Sequence, residues 1–144
     1  MSDMLIVLEG CDGSGKSTLA KKLAMVFDAD TIHCSAETPN DYDFFHSIIS
    51  GAISKNIVAD RFCYGQFVYQ DAEERRLTTT ELYRLESEMV NVGTKVIFVD
   101  ADSDEIYDRL IKRGEATLKP IQEIRQGFVD VFTNSLIKPI LWKT

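Results

Sequence analysis

The chain has 144 residues, a formal net charge of −7 and 44% hydrophobic residues. This length suits one domain with one core, and the composition excludes a disordered or fibrous protein. The acidic charge argues against a broad nucleic-acid surface, because such a surface needs a basic stripe.

Short apolar runs alternate with helical patterns along the chain, which is typical of a parallel sheet covered by helices. The predicted strands are Met4–Leu8, Thr31–Cys34, Ile57–Ala59, Lys95–Val99 and Leu136–Trp142. Pro139 predicts that the last strand is short or lies at an edge. The predicted helices are Lys16–Phe27, Tyr42–Ile53, Tyr64–Arg75, Thr80–Val92, Asp102–Lys112 and Ile121–Phe132.

The turn after the first strand matches the phosphate-binding pattern G-x-x-x-x-G-K-[ST]. Its residues are Gly10, Cys11, Asp12, Gly13, Ser14, Gly15, Lys16 and Ser17, followed by Thr18. The glycines let successive N–H groups point at phosphate oxygens, and the helix that follows directs its positive end to the same place. Lys16 then contacts the β- and γ-phosphates, and the Ser17 hydroxyl binds Mg²⁺. The segment predicts a site for ATP with Mg²⁺.

An acidic and a basic residue, Asp60 and Arg61, follow the third predicted strand. Ligands of α/β sheets bind beyond the carboxyl ends of the strands. Asp60 is therefore expected to hold Mg²⁺ through water, and Arg61 to reach a phosphate with its two-pronged guanidinium. The alternative interpretation of this pair is a solvated ion pair at a strand end.

Three segments resemble the thymidylate kinase branch of the nucleoside monophosphate kinases. They read EGCDGSGKST at the phosphate-binding turn, DRFCYGQFVYQ after the third strand, and RLIKRG at Arg109–Gly114. The order of elements agrees along nearly the whole chain. The resemblance implies an α/β P-loop NTPase fold, with a five-stranded parallel sheet of order 2-3-1-4-5 and helices on both faces. It further implies one kinase domain over residues 1–144, with a very short lid near residues 113–120.

The resemblance also implies how phosphate is transferred. Asp12 is expected to face the acceptor deoxyribose, and Arg61 to clamp the acceptor phosphate. Arg109 and Arg113 are expected to contact the donor adenine or the transferring phosphate. Together with Lys16, these groups offset the charge that develops during in-line transfer from ATP.

For the acceptor base and sugar, the resemblance implies that Gln66 approaches the base edge. Tyr69 is expected to crowd the 2′ position of the sugar, which favours a deoxynucleotide. Phe44 or Phe45 is a candidate for stacking on the base. The expected reaction is the phosphorylation of a deoxynucleoside monophosphate, dTMP, dUMP or a related pyrimidine.

The acceptor half departs from the family pattern. The family motif R-E-P-G-G is replaced by the segment Ser35–Asp41, and the base-reading arginine of this region has no counterpart. This shortening leaves a second hypothesis, a kinase acting on a hydroxyl of a nucleoside or of a modified base in DNA. A third, a nucleotide-binding switch protein, is disfavoured because no guanine-reading N-K-x-D motif is found.

Location and partners follow from cysteines, apolar runs and the resemblance. Three cysteines without CxxC spacing are typical of a reducing compartment. The apolar run Met4–Leu8 is too short for a signal peptide or a membrane span. We therefore expect a cytoplasmic protein that binds small nucleotides and no membrane. The family implies a homodimer, with the helices Tyr64–Arg75 and Thr80–Val92 as the suspected faces.

Overall fold

A computed structural model of the chain describes residues 3–115 and 119–144. The five strands are β1 (Leu5–Glu9), β2 (Asp30–His33), β3 (Ile57–Asp60), β4 (Lys95–Asp100) and β5 (Ile140–Lys143). They form one parallel sheet of order β2-β3-β1-β4-β5, which confirms the predicted topology. The predicted lid near residues 113–120 falls partly on residues 116–118, which lie outside the described residues.

The helices lie on both faces of the sheet, as predicted. They are α1 (Lys16–Phe27), α2 (Tyr42–Gly51), the short α3 (Gln66–Tyr69), α4 (Thr79–Asn91), α5 (Ser103–Lys112) and α6 (Ile121–Thr133). One apolar cluster joins α1 to Ile6, Leu8 and Val99, and a larger cluster on the other face includes Phe98 and Phe128. Within the described residues, no helix is long and apolar enough to cross a membrane.

The three central strands each end in a carboxylate, at the carboxyl-terminal end of the sheet. β1 ends at Glu9, β3 at Asp60 and β4 at Asp100, and all three side chains are buried. Parallel strands bring their carboxyl ends together, so these acids converge beside the turn that leaves β1. Burial of a charge is costly without compensation, so each of these acids needs a partner or a ligand at this end of the sheet.

The predicted helix Tyr64–Arg75 is wrong over its second half. The chain forms one 3₁₀ turn and then α3, and Gln70 is already extended at φ −117° and ψ 143°. The Gln66 carboxamide accepts from the N–H of Arg76 at 3.0 Å and donates to the carbonyl of Asn40 at 2.6 Å. These bonds hold the segment after α3 close to Gln66 and to the loop that contains Asn40. Apolar periodicity does not indicate such side-chain bonds.

The last strand is also shorter than predicted. β5 begins at Ile140, directly after Pro139, and it lies at the edge of the sheet. Proline lacks the N–H that a ladder needs, so pairing starts only beyond it. The remaining bounds differ from the predicted ones by at most two residues.

Candidate nucleotide-binding site

The turn between β1 and α1 has the backbone shape that its glycines allow. A Cβ at Gly10 would collide with the carbonyl oxygen of Val99, and Gly15 has a φ of 101°. No side chain caps the N-terminus of α1, whereas Asp41 caps α2 and Thr78 caps α4. The first N–H groups of α1 therefore remain available to an anion.

Lys16 lies against the backbone of this turn. Its ammonium donates to the carbonyls of Gly10 at 2.8 Å and Cys11 at 3.1 Å, and it lies 3.8 Å from the carboxylate of Asp12. Burial lowers the pKa of Lys16, and the carboxylates of Asp60 and Glu9 oppose that shift. The ammonium therefore lies at the centre of the turn, with Asp12 beside it.

Two further residues of the turn, Cys11 and Ser14, have buried side chains. Cys11 is buried in the core, so only its backbone faces the turn. The Ser14 hydroxyl is buried and has no hydrogen-bond partner. An unpaired buried hydroxyl is uncommon and indicates a place where a ligand can supply the missing bond.

Ser17 and Asp60, the two residues predicted to hold Mg²⁺, meet where α1 begins and β3 ends. The Ser17 hydroxyl donates to Asp60 Oδ2 at 2.9 Å, while Asp60 Oδ1 is buried without a partner. Within the described residues, no group of three His, Cys, Asp or Glu side chains converges as in a protein-built cage. Few protein oxygens and one unsatisfied carboxylate oxygen fit Mg²⁺, which keeps waters and phosphate oxygens as its other ligands.

His33 is a neighbour of this pair that the sequence did not indicate. The β2–β3 register sets His33 opposite Asp60, and its Nδ1 lies 3.4 Å from Asp60 Oδ2. Strand registers are set by pairing across the sheet, so a single sequence carries little signal for this contact.

Arg61 adopts the left-handed backbone conformation, with a φ of 68°. This conformation is strained for a residue with a side chain, and such strain concentrates at functional sites. The N–H of Arg61 donates to the carbonyl of Leu8 at 2.9 Å, which holds the residue to β1. Its guanidinium pairs with the Asp12 carboxylate and lies 5.8 Å from the centre of the Tyr69 ring. The structure therefore brings Asp12, Arg61 and Tyr69 together.

A cavity of about 120 Å³ opens beside Arg61, which we name the acceptor-side cavity. Its polar lining includes Glu9, Asn40, Arg61, Gln66, Tyr69 and Gln70. The Tyr69 hydroxyl is buried without a partner, and burial raises the pKa of this phenol. The Gln66 amide is bonded at both ends to backbone, so the predicted contact with a base edge requires those bonds to open.

Glu9 is the member of this cavity that sequence analysis missed. It is 1% exposed, and its Oε2 accepts from the N–H of Gly65 at 2.9 Å. Burial raises the pKa of Glu9 to about 8, against the opposing charge of Lys16. The available signal was a carboxylate at the end of an otherwise apolar buried strand.

The predicted aromatic stacking residues lie elsewhere. Phe45 is 1% exposed and packs edge-on against Phe62, with ring centres 4.9 Å apart, so it has no free face for a base. Phe44 is half-buried and packs edge-on against Phe45. Neither side chain lines the acceptor-side cavity. The stacking role is therefore not supported for Phe45, because its ring belongs to the core.

A second cavity, of about 400 Å³, lies at the other end of the turn, and we name it the donor-side cavity. Its lining includes Gly15, Thr18, Lys22, Arg109, Arg113 and Trp142, together with Thr144. Arg109 donates to the carbonyl of Gly13 at 2.9 Å and to the Thr144 hydroxyl at 3.2 Å. Both predicted arginines are thus brought to the phosphate-binding turn, and Trp142 is an aromatic neighbour that sequence analysis missed.

Asp100, at the end of β4, forms ion pairs with residues of α6 and β5. Arg125 of α6 binds its two oxygens at 2.8 and 3.0 Å, and Lys143 lies 3.5 Å away. Burial alone would raise the pKa of Asp100, but the hydrogen bonds and charge of Arg125 lower it below its ordinary value. Arg125 is therefore committed to a structural ion pair in this arrangement.

No protein-family model matches the chain, and a search of curated proteins finds no match. The YorR protein of Bacillus subtilis, solved in complex with phosphorylated GDP, is 28% identical, with a TM-score of 0.82 over 96% of this chain and 85% of that chain. A deoxyadenosine kinase from M. mycoides with bound dCTP is 15% identical, with a TM-score of 0.59 over 98% of this chain and 89% of that one.

The thymidylate kinase of Candida albicans is 17% identical, with a TM-score of 0.59 over 99% of this chain and 84% of its own. The likeness to these kinases is one of fold, since fewer than one residue in five is shared. It agrees with the strand order and with the phosphate-binding turn described above. The chain has the fold of the P-loop kinases.

Proposed function

We propose that the protein transfers the γ-phosphate of ATP to a deoxynucleoside monophosphate, dTMP, dUMP or a related pyrimidine. The observation that carries the proposal is the position of Arg61. Its guanidinium lies between the phosphate-binding turn, through Asp12, and the acceptor-side cavity, through Tyr69. A cation held there by a strained backbone suits a phosphate that must approach the γ-phosphate of ATP.

The donor phosphates would bind the N–H groups at the start of α1 and the ammonium of Lys16. Lys16 then exchanges its two carbonyl partners for phosphate oxygens. Ser17 and Asp60 would hold Mg²⁺, which supplies positive charge to the phosphate oxygens when it is bound. Arg109 and Arg113 would flank the donor from α5 and from the residue that follows it.

On the acceptor side, Arg61 would release Asp12 and bind the acceptor phosphate. An oxygen of that phosphate forms a bond to the γ-phosphorus, the bond from this phosphorus to the bridging oxygen breaks, and ADP leaves. Asp12 is then free to accept from a sugar hydroxyl. The unpaired Tyr69 hydroxyl in the cavity supports a role for Tyr69 at the sugar.

The similar structures support a nucleotide substrate. One neighbour was solved with phosphorylated GDP, one is a deoxyadenosine kinase with bound dCTP, and one is a thymidylate kinase. We further propose that the chain acts as one domain with a short lid that includes Arg113. The homodimer and the cytoplasmic location stay predictions.

An acceptor panel tests the proposal. Purified protein is incubated with ATP and Mg²⁺ and with each deoxynucleoside monophosphate, ribonucleoside monophosphate or nucleoside, and ADP release is followed. We expect faster release with dTMP or dUMP than with the matching ribonucleotides. Equal turnover with and without any acceptor would contradict the kinase and would favour a nucleotide-binding switch protein.

A second candidate is transfer to a hydroxyl of a nucleoside or of a modified base in DNA, and Glu9 favours it. The raised pKa of about 8 makes the deprotonated form of Glu9 a stronger base than an ordinary carboxylate, and its place in the acceptor-side cavity would let it take a proton from an attacking hydroxyl as pH approaches 8. A phosphate acceptor is already an anion and needs no such base. The variant Glu9→Gln separates the two: it should abolish transfer to a nucleoside but leave most of the transfer to a monophosphate.

A further inference from the structure

The donor-side cavity contains an aromatic ring at the place where the donor nucleoside must lie. Gly15 and Thr18, which belong to the phosphate-binding turn and the first turn of α1, line the same cavity as Trp142 of β5. A nucleoside whose phosphates occupy the turn extends away from it into this space. Trp142 is 48% exposed there, although it is a large apolar side chain.

The backbone around Trp142 is fixed to the turn. Trp142 pairs with Val99 in the β4–β5 ladder. Two residues later, Thr144 donates its N–H to the carbonyl of Asp100 at 2.8 Å and its hydroxyl to the carbonyl of Ser14 at 2.8 Å. The strand that carries the indole is therefore attached to the same turn that binds the phosphates, which sets the ring at a defined distance from them.

We infer that Trp142 is the stacking platform for the donor base, and that the donor site discriminates only weakly between adenine and guanine. This inference rests on the proposed function for the direction of the donor nucleotide. Stacking on an aromatic ring tolerates different bases, because every base has a π-face. The guanidinium groups of Arg109 and Arg113 add planar cations to the same cavity.

The weak discrimination follows from the polar groups of the cavity. Among the described residues that line it, none carries a side-chain carboxylate or carboxamide. Guanine is normally read by an acceptor for its ring N–H and amino groups. The arginine and lysine side chains of this cavity offer only donors, and the Thr144 hydroxyl is already bonded to Arg109 and to the carbonyl of Ser14. A site without such groups holds a purine mainly by its face.

Fluorescence tests the inference directly, because Trp142 is the only tryptophan of the chain. Wild-type protein is titrated with ATP, with GTP and with inorganic tripolyphosphate, each with Mg²⁺ and without acceptor. Both nucleotides should change the emission, with dissociation constants within about tenfold of one another. Tripolyphosphate should displace them without changing the emission itself. Saturation with ATP in calorimetry at constant emission would overturn the inference.

Variants give a second readout. Trp142→Ala should weaken ATP binding about tenfold while tripolyphosphate binding stays unchanged, and Trp142→Phe should bind ATP nearly as the wild type does. The matched control is Leu141→Ala, which removes the neighbouring exposed apolar side chain of the same strand and does not line the cavity. Equal ATP affinities for Trp142→Ala and Leu141→Ala would contradict the inference. These binding measurements use no acceptor, so their failure is distinct from a failure of phosphate transfer.

Discussion

The two cavities on either side of the phosphate-binding turn differ in how their polar groups are engaged. On the donor side, the start of α1 has no side-chain cap and the cavity is open. On the acceptor side, Arg61 pairs with Asp12, and the Gln66 amide bridges Asn40 and Arg76. The acceptor side and the ammonium of Lys16 must exchange internal bonds for bonds to a ligand, whereas the N–H groups at the start of α1 are already available to one.

The two half-sites also differ in which parts of the chain build them. The phosphate-binding part of the donor half is built by one strand, one turn and one helix that are contiguous in sequence, and α5 and β5 add Arg109 and Trp142 to its cavity. The acceptor half is assembled from loops after β2, β3 and α3, which meet only in the folded chain. We therefore expect the binding of the donor phosphates to depend mainly on local geometry, and the choice of acceptor to depend on the packing of these loops.

The largest effect is expected at the donor half, from Lys16→Ala. In the proposed function the ammonium lies beside the transferring phosphate, so we expect its loss to lower phosphate transfer at least about 10³-fold. Steady-state ADP release measures it. Lys21→Ala, an exposed lysine of the same helix, is the matched control and should retain wild-type activity. Equal losses of activity in both variants would contradict a specific role of Lys16 in the donor half.

The next effect concerns the buried carboxylate of the acceptor half. Burial raises the pKa of Glu9 from 4.5 to about 8, so the folded chain binds a proton that the unfolded chain has released between these values. The contribution of Glu9 to stability is therefore lost as pH rises from about 4.5 to about 8, with a slope of at most about 1.4 kcal/mol per pH unit.

The variant Glu9→Gln removes this titration and should flatten the dependence of the free energy of unfolding on pH between about 5 and about 8. Denaturant unfolding of both proteins at several pH values measures it. The variant should also be the more stable protein at the upper end of this range. Parallel curves for the two proteins would show that Glu9 carries its charge at no cost, and would contradict the raised pKa of this carboxyl.

Gln66→Ala sharpens the comparison by opening the acceptor half. It removes two partly buried hydrogen bonds to backbone, and we expect a loss of about 1 to 3 kcal/mol in the free energy of unfolding. The KM for the acceptor should rise while the KM for ATP stays unchanged. Gln122→Ala, an exposed glutamine of α6, serves as the control. A parallel rise in both KM values would show that the loops also shape the donor half.

The smallest effect is expected away from both halves. Thr78→Ala removes the capping box that Thr78 and Glu81 form at the start of α4, and should lower the free energy of unfolding by about 1 kcal/mol. Thr80→Ala, inside the helix, should cost less than half as much. Activity per folded molecule should be the same in both variants, and a selective loss for Thr78→Ala would extend the acceptor half to α4.

The sequence predicts the fold and the donor half well because their signals are local. Apolar runs locate β1, β3 and β4, and the glycine pattern with Lys16 and Ser17 defines the turn. The acceptor half is predicted less well. Apolar periodicity continues the helix past Tyr69, but the side chain of Gln66 binds the backbone of Arg76 and the chain turns back.

Two aromatic residues show the same limit of local signals. Phe45 has the aromatic ring that stacking on a base requires, but its packing against Phe62 places it in the core. Trp142 reaches the donor-side cavity through the pairing of β5 with β4. A single sequence does not encode that pairing locally, because the register is decided across the sheet.

The central claim is that Arg61 serves the acceptor while the turn and α1 serve the donor. Calorimetry of wild type and Arg61→Ala, with a non-hydrolysable ATP analogue and separately with dTMP, tests it most directly. We predict that the variant binds the ATP analogue within about threefold of wild type and loses at least about tenfold in affinity for dTMP. An unchanged affinity for dTMP, or an equal loss of both ligands, would contradict the division of the site into donor and acceptor halves.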